Sequence, residues 1–196
     1  MGDIKSAREI ALEKIEKIGE ATEEERLRWK YLPEGEKLAA KCLKQDAELS
    51  AELGKHDKKV LKYVAEGASD VLIKNITLPK DDATRRNNKR AMDGLKSLKS
   101  DKVAVENVFS KMRRLFSHYA EQGEQQKKQA YAALKAEFEA KMAQAVKQQL
   151  GTTAGIRIDV EKQPQFQDEW YKMRVRFDAQ YLKLLDEYKQ ELAAIS

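Results

Sequence analysis

The side chains that most often bind metals or attack substrates are scarce in this sequence. Among 196 residues there are two histidines, His56 and His118, and one cysteine, Cys42. A helix-borne di-iron site needs two Glu-x-x-His units, and neither histidine follows a glutamate by three positions. Glu52 and His56 are four residues apart, but Gly54 between them indicates that the helix has ended, which favours an exposed histidine. We therefore predict no catalytic residue, no metal site and no cofactor.

Familiar catalytic and nucleotide-binding motifs are missing as well. The sequence has no phosphate-binding loop and no strand followed by a glycine-rich turn. Cys42 falls on the apolar stripe of a predicted helix, which favours a packed thiol over a nucleophile. The 33 acidic and 38 basic side chains are interleaved, as is typical of a solvated helical surface. A non-enzymatic protein is the prediction; an enzyme or small-ligand carrier with a pocket between short N-terminal helices is kept as an alternative.

Positive charge is concentrated in one segment. Residues 85–114 contain ten basic and three acidic side chains, a local net charge of +7 against +5 for the whole chain. The candidate nucleic-acid contacts are the basic residues of a predicted helix at 81–99, which are Arg85, Arg86, Lys89, Arg90, Lys96 and Lys99. Such a stripe can bind phosphates. A solvated face, or a face paired with the acidic region 1–53, has the same pattern. This interpretation is favoured, because no aromatic residue lies between 85 and 102 to stack on bases.

The elements that carry these residues are predicted to be helices. Charged residues make up 36% of the chain, which has only 9 glycines and 3 prolines, a composition typical of long helices. The predicted fold is all-α and elongated. Short helices form an N-terminal base over residues 1–100, including the basic amphipathic helix at 81–99. A long antiparallel helical hairpin follows over 101–196, with a tip loop at 151–163.

Helix start and stop signals divide the base. A first amphipathic helix is predicted over about residues 4–18. Thr22 and Glu25 form a capping-box pattern that opens a short amphipathic stretch. Pro33 suits the first turn of the next helix, which continues to Gly54. Another helix is predicted over 57–74.

Two long apolar stripes predict the hairpin. The last stripe has an average spacing of about 3.6 residues, that of a nearly straight helix, and it consists of Phe166, Trp170, Met173, Phe177, Tyr181, Leu184, Tyr188, Leu192 and Ile195. The preceding helix runs from Asp101 to about Leu150, with a polar gap at 120–130 where Gly123 permits a bend. If Leu150 faces Pro164, facing residue numbers sum to about 314. Phe138 is then predicted to meet Phe177.

The tip contains the one strand-like segment of the chain. Ile156, Ile158 and Val160 alternate with charged residues. Either these residues cap the hairpin from an irregular loop, or the segment pairs with the same segment of another chain. Large amphipathic side chains on the hairpin are typical of interfaces. The candidate partner contacts are Ile156, Ile158, Val160, Tyr131, Trp170, Tyr181 and Tyr188.

The sequence also limits where the protein is expected to be located and what it is expected to do. A single cysteine cannot form an intramolecular disulfide, and the first twenty residues lack the apolar run of a signal peptide. We expect a cytoplasmic protein with no membrane and no metal partner. The predicted function is a structural or protein-interaction module that binds a protein partner or self-associates. The alternative is an RNA- or DNA-associated protein that uses the basic stripe at residues 85–99.

Overall fold

The computed structural model describes residues 21–45, 48–150 and 159–195. Helices cover most of these residues, and no β-strand occurs within the three ranges, so the all-α prediction is confirmed. The predicted first helix at about 4–18 lies outside them. The α-helices are α1 Glu23–Gln45, α2 Leu49–Leu53, α3 Lys58–Asn75, α4 Asp82–Leu98, α5 Lys102–His118, α6 Glu124–Leu150 and α7 Pro164–Ala194. A π-helical turn, Tyr119–Gly123, joins α5 to α6, and a short 3-10 turn, Val160–Lys162, precedes α7.

The described residues divide into two compact units. The first unit contains residues 21–45, 48–76, 86–105 and 193–195, and the second contains 77–85, 106–150 and 159–192. Each unit therefore contains residues that precede residue 100 and residues that follow it. Within the described ranges, no helix is long and apolar enough to span a membrane.

In the first unit, α1 is longer than predicted. The capping box is present, since the Glu25 amide donates to Thr22 Oγ1 at 3.2 Å and the Thr22 amide donates to Glu25 Oε2 at 2.8 Å. The prediction of a new helix at Pro33 is wrong, because Pro33 lies inside α1. A proline in a helix interior costs about 3 kcal/mol, so tertiary packing must offset this cost.

Close packing of α1 on α3 supplies that stabilisation. Gly35 of α1 and Gly67 of α3 lie at the contact, and the two helices approach so closely that backbone meets backbone. A Cβ atom on Gly67 would collide with the Leu32 carbonyl, and one on Gly35 would collide with the Val64 carbonyl. Around this contact the unit buries Ala39, Val64, Ala68 and Leu72 completely. Gly67, which weakens α3 by propensity, is therefore required by the packing.

In the second unit, α7 runs antiparallel to α5 and α6. Lys111 Nζ lies 2.8 Å from Glu191 Oε1 near one end, and the rings of Phe138 and Phe166 are 5.4 Å apart near the other. Facing residue numbers therefore sum to about 300 rather than about 314, and the predicted contact of Phe138 with Phe177 is wrong.

The connection between α6 and α7 explains the shifted register. Glu161 Oε1 lies 2.7 Å from Lys135 Nζ, so the chain is already level with the middle of α6 before α7 begins. Val160 beside it is 1% exposed. The predicted turn lies instead at the end of α6, and in the structure no side chain of residues 139–149 is fully buried.

The buried apolar stripe on α7 differs from the predicted stripe at one position. Phe166 and Leu192 are buried as predicted, but Leu185 is 2% exposed while the predicted Leu184 is 41% exposed. A step of four residues from Tyr181, followed by one of three, keeps the same average spacing. The apolar face was therefore placed correctly on average and missed locally by one residue.

Candidate functional site

A cluster of three polar side chains is buried in the second unit where the π-helical turn meets α7. Tyr119 Oη donates to Asp178 Oδ1 at 3.0 Å, and Lys127 Nζ donates to Tyr119 Oη at 2.8 Å. Lys127 Nζ also lies 2.8 Å from Asp178 Oδ1, and the two side chains are only 11% and 14% exposed. These residues are called the Tyr119–Lys127–Asp178 cluster below.

The π-helical turn brings two members of this cluster to one face. Eight residues of regular α-helix turn through about 800°, which would leave the Tyr119 and Lys127 side chains about 80° apart. A π-helical turn takes in about one extra residue for the same rotation, and the angle falls to about 20°. Lys127 Nζ then lies 4.3 Å from the centre of the Tyr119 ring as well as at its hydroxyl.

Neighbouring residues complete the hydrogen bonding of the cluster. Lys80 Nζ lies 3.0 Å from the second carboxylate oxygen of Asp178, and Lys127 Nζ lies 3.2 Å from Glu124 Oε1. The Lys127 ammonium thus has three oxygen neighbours for its three protons. Both charges of the buried Lys127–Asp178 pair therefore have further hydrogen-bond partners, which is the condition under which a buried ion pair is tolerated.

The electrostatics of the cluster hold each group in one protonation state. Burial favours the neutral form of Asp178, but hydrogen bonds from Lys127, Lys80 and Tyr119 outweigh it and lower the pKa of the carboxyl. Burial likewise opposes the charge on Lys127, yet hydrogen bonds to Asp178, Tyr119 and Glu124 raise the pKa of the ammonium. Burial raises the pKa of the Tyr119 phenol. At neutral pH the cluster is a carboxylate, an ammonium and a neutral phenol.

Above this cluster lies a groove of about 670 Å³ between α6 and α7. At one end an aromatic wall forms where the Tyr131 and Trp170 rings meet edge to face at 5.0 Å and Tyr131 also meets Phe166 at 5.5 Å. Tyr119 and Asp178 of the cluster line the floor toward the other end. The groove therefore has a polar floor, fixed by the hydrogen bonds of the cluster, and an aromatic wall.

The α7 side of the groove is apolar and exposed. Tyr171 is 61% exposed, Val175 is 50% exposed and Leu182 is 51% exposed. Their spacings of four and seven residues place them on one helical face. We call these three residues the exposed stripe. It lies beside the buried stripe that begins at Phe166; the regular spacing of apolar residues in the sequence predicts only the buried stripe.

Two cations flank the groove without an acidic partner among the described residues. Lys128 on α6 and Arg174 on α7 both line it. The carboxylates of the groove, on Glu124 and Asp178, are bound by Lys127 and Lys80. The charge that the groove presents to a partner is therefore positive.

The candidate partner contacts do not form one surface. Tyr131 and Trp170 line the groove and are partly exposed. Tyr181 is partly buried, with its hydroxyl 2.9 Å from His118 Nδ1, and Tyr188 is partly buried beside the Lys111 ammonium. Val160 as a partner contact is corrected, because it is buried in its own unit. Ile156 and Ile158 lie outside the described residues, and so does most of the strand-like segment.

The candidate nucleic-acid contacts are also divided. Arg86 and Lys89 are exposed on α4, and Lys96 is exposed with a partner of its own. Arg85 pairs with Asp82 at 3.1 Å. The other two are used inside the first unit: Arg90 donates to the Leu43 carbonyl at 3.1 Å, and Lys99 donates to the Ile195 carbonyl. Burial lowers the pKa of Lys99.

The remaining candidate residues for chemistry are dispersed. Cys42 is 8% exposed, as predicted for a packed thiol. His56 was predicted to be exposed, but its side chain is only 22% exposed and lies 4.0 Å from Glu34. Among the described residues, no group of three or more histidine, cysteine or acidic side chains is arranged to hold a metal ion.

Comparison with families of known proteins gives a match over most of the chain. A family described as "Family of unknown function (DUF6657)" matches residues 50–194, and this segment includes every residue that lines the groove. No curated protein matches significantly. No solved structure matches significantly either.

Proposed function

The chain belongs to the DUF6657 family, and we propose that it is a non-enzymatic protein-interaction module whose groove between α6 and α7 holds a protein partner. The observation that carries the proposal is the exposed stripe, in which three large apolar side chains on one helical face remain at least half exposed. Contiguous apolar surface of this kind is typical of binding sites.

The construction of the groove supports this proposal. The fully hydrogen-bonded Tyr119–Lys127–Asp178 cluster fixes the groove floor, and packed aromatic rings fix its wall. A rigid surface loses little conformational entropy when a partner binds. Tyrosine and tryptophan, which line the groove, are also the residues enriched at interface hot spots.

The alternative, nucleic-acid binding by the stripe at residues 85–99, has less support. Of its six cations, Arg90 and Lys99 donate to backbone carbonyls of their own unit, and Arg85 is paired with an aspartate. Fewer available cations mean less counterion release and weaker phosphate binding. The proposed setting is the cytoplasm, where the single thiol of Cys42 stays reduced.

Site-specific photo-crosslinking tests the proposal. A photoreactive phenylalanine analogue replaces Tyr171 in the groove, or Gln180 on an exposed part of α7 that does not line it. We expect a discrete cross-linked protein, identified by mass spectrometry, from position 171 and not from position 180. The same cross-link should disappear in the Leu182→Glu variant, while the thermal unfolding curve is unchanged because Leu182 is 51% exposed.

Two results would overturn the proposal. One is the same cross-linking pattern from positions 171 and 180, which would mean random collision. The other is a cross-link from position 171 that persists undiminished in the Leu182→Glu variant. Retention of the chain on an oligonucleotide column, lost when Arg86 and Lys89 become glutamate, would instead support the alternative.

A further inference from the structure

The charges of the groove define what kind of partner it fits. Its two carboxylates are each neutralised within the unit, Glu124 by Lys127 and Asp178 by Lys127 and Lys80. Lys128 and Arg174 have no such partner among the described residues. An occupant that complements the groove therefore brings negative charge.

The antiparallel packing places these two cations opposite each other. The contact of Lys127 with Asp178 lies on one side of them, and the contact of Tyr131 with Trp170 lies on the other. Lys128 and Arg174 are consequently at the same level on the two walls, near the middle of the groove. Carboxylates halfway along an occupant would reach both cations.

The apolar anchors define the shape of the occupant. From Tyr171 to Leu182 the exposed stripe spans eleven residues, about 16 Å or three turns of helix. A partner helix that lies in a groove contributes apolar residues at positions i, i+4 and i+7. Three turns are long enough for such a helix to present one apolar face and carboxylates along its edges.

We propose that the groove binds an acidic amphipathic helix of a protein partner, with its apolar face on Tyr171, Val175 and Leu182 and its carboxylates at Lys128 and Arg174. This inference rests on the proposed function and specifies the partner. Aromatic rings beside cations also suit single-stranded nucleic acid. The aliphatic side chains of Val175 and Leu182 and the small number of available cations favour the helix.

The chain offers a direct fluorescence reporter for the test. It contains two tryptophans, Trp29 and Trp170, and only Trp170 lines the groove. Trp29 is 52% exposed on α1, so Trp29→Phe leaves a single reporter at the site without disturbing a core. Binding is then followed by the emission of Trp170.

Four probes are titrated into the Trp29→Phe protein at physiological salt. The first is a three-turn peptide with leucine at i, i+4 and i+7 and glutamate on the flanking positions. The second has lysine in place of every glutamate, the third is a scrambled acidic peptide, and the fourth is oligouridylate. We expect saturable binding of the first peptide only, with a Kd below about 100 µM.

A charge swap provides the matched control. In the Lys128→Glu, Arg174→Glu variant, affinity for the acidic peptide should fall at least about tenfold and the lysine peptide should now bind, because the pairing is restored with reversed sign. Both side chains are exposed, so folding should be unaffected. An unchanged affinity for the acidic peptide in this variant would contradict the inference.

The outcomes separate this inference from the proposed function. Equal binding of the acidic and lysine peptides, abolished by Leu182→Glu, would overturn the acidic partner and leave the interaction groove intact. Binding of oligouridylate without the acidic peptide would overturn the inference in favour of nucleic acid. Failure of every probe overturns it too, and the photo-crosslink from position 171 then decides independently whether the groove binds protein.

Discussion

Replacing Gly67 by alanine sets two effects of opposite sign against each other. On propensity alone, alanine in the middle of α3 should stabilise the helix by about 1 kcal/mol. The structure predicts the opposite, because the new Cβ would collide with the backbone of Leu32 in α1. Backbone cannot rotate away as a side chain can, so the two helices must separate.

The cost follows from what that separation disturbs. The Cβ of alanine would lie 3.2 Å from Leu32 Cα and closer still to the Leu32 carbonyl. Opening the contact loosens Ala39, Val64 and Ala68, which are fully buried beside it. Overpacking of this kind costs about 1–3 kcal/mol, and we expect the upper end, about 3 kcal/mol, because the new Cβ meets backbone, which cannot rotate away. After the gain of about 1 kcal/mol in helix propensity, the net loss of stability is about 2 kcal/mol, and for a chain of this size the melting temperature should fall by about 4–8 °C.

Two other glycines serve as controls in the same assay. At Gly54 a Cβ would meet its nearest atoms at 3.6 Å, and φ is −61°, so Gly54→Ala should be neutral or slightly stabilising. At Gly94 the nearest atom is Leu72 Cδ1 at 2.9 Å, the end of a flexible side chain, so the loss should be intermediate. Thermal and urea unfolding followed by circular dichroism at 222 nm gives all three values.

The result that would refute this reasoning is a Gly67→Ala protein as stable as the wild type or more so. Helix propensity would then outweigh the close contact of α1 and α3, and the explanation of Pro33 inside α1 would fail with it. Gly35→Ala provides a check from the other helix, since its Cβ would meet the Val64 carbonyl and, at 2.9 Å, the Ala68 amide nitrogen.

Three further changes test other contacts. Asp178→Asn should cost about 3 kcal/mol at pH 7, the lower end for a broken buried pair, because it leaves the Lys127 ammonium with only the half-exposed Glu124 as counter-charge. Folding lowers the pKa of Asp178, so its contribution to the free energy of unfolding is present above the unfolded pKa of about 3.9 and is lost as the pH falls through the folded value. The difference in stability between wild type and Asp178→Asn in urea unfolding should therefore shrink below about pH 4. An equal difference at pH 7 and pH 3 would contradict this. Thr22→Ala should cost about 1 kcal/mol through loss of the capping box with Glu25, seen as faster amide exchange in the first turn of α1. Val160→Ala should cost about 1–2 kcal/mol in urea unfolding, and no loss would mean that Val160 is not packed in the second unit.

Where each helix begins was predicted better from the sequence than which helices contact each other. Asp101 and the stripe after it predicted the start of a long helix, and α5 begins at Lys102. The capping box predicted the start of α1. These signals depend on hydrogen bonds within three or four residues, which the sequence states directly. The prediction at Pro33 was wrong because α1 packs on α3 through contacts such as that of Leu32 with Gly67, which are more than thirty residues apart and leave no local signal in the sequence.

The groove was only partly predictable for a related reason. Tyr131 and Trp170 were selected as large amphipathic residues, and both line it. The register of α7 depends on where the connection returns along α6, and no spacing rule in either helix contains that information. Lys127 and Asp178 could not be distinguished from the other charges of an interleaved surface, since their burial depends on the π-helical turn.

That turn has a consequence for how the segment between α5 and α6 tolerates change. By composition, residues 120–130 are polar and mostly exposed, the kind of segment in which substitutions are usually harmless. A deletion of one residue is tolerated as well, since it converts the turn to regular α-helix, and seven α-helical steps turn through about 700°, the same rotation as eight steps through the π-helical turn. Lys127 would still face the Asp178 carboxylate, and Tyr131 would still face Trp170. An insertion of one further residue would instead rotate α6 by about 100° and separate both contacts, so the segment tolerates substitution and the loss of one residue but not the gain of one.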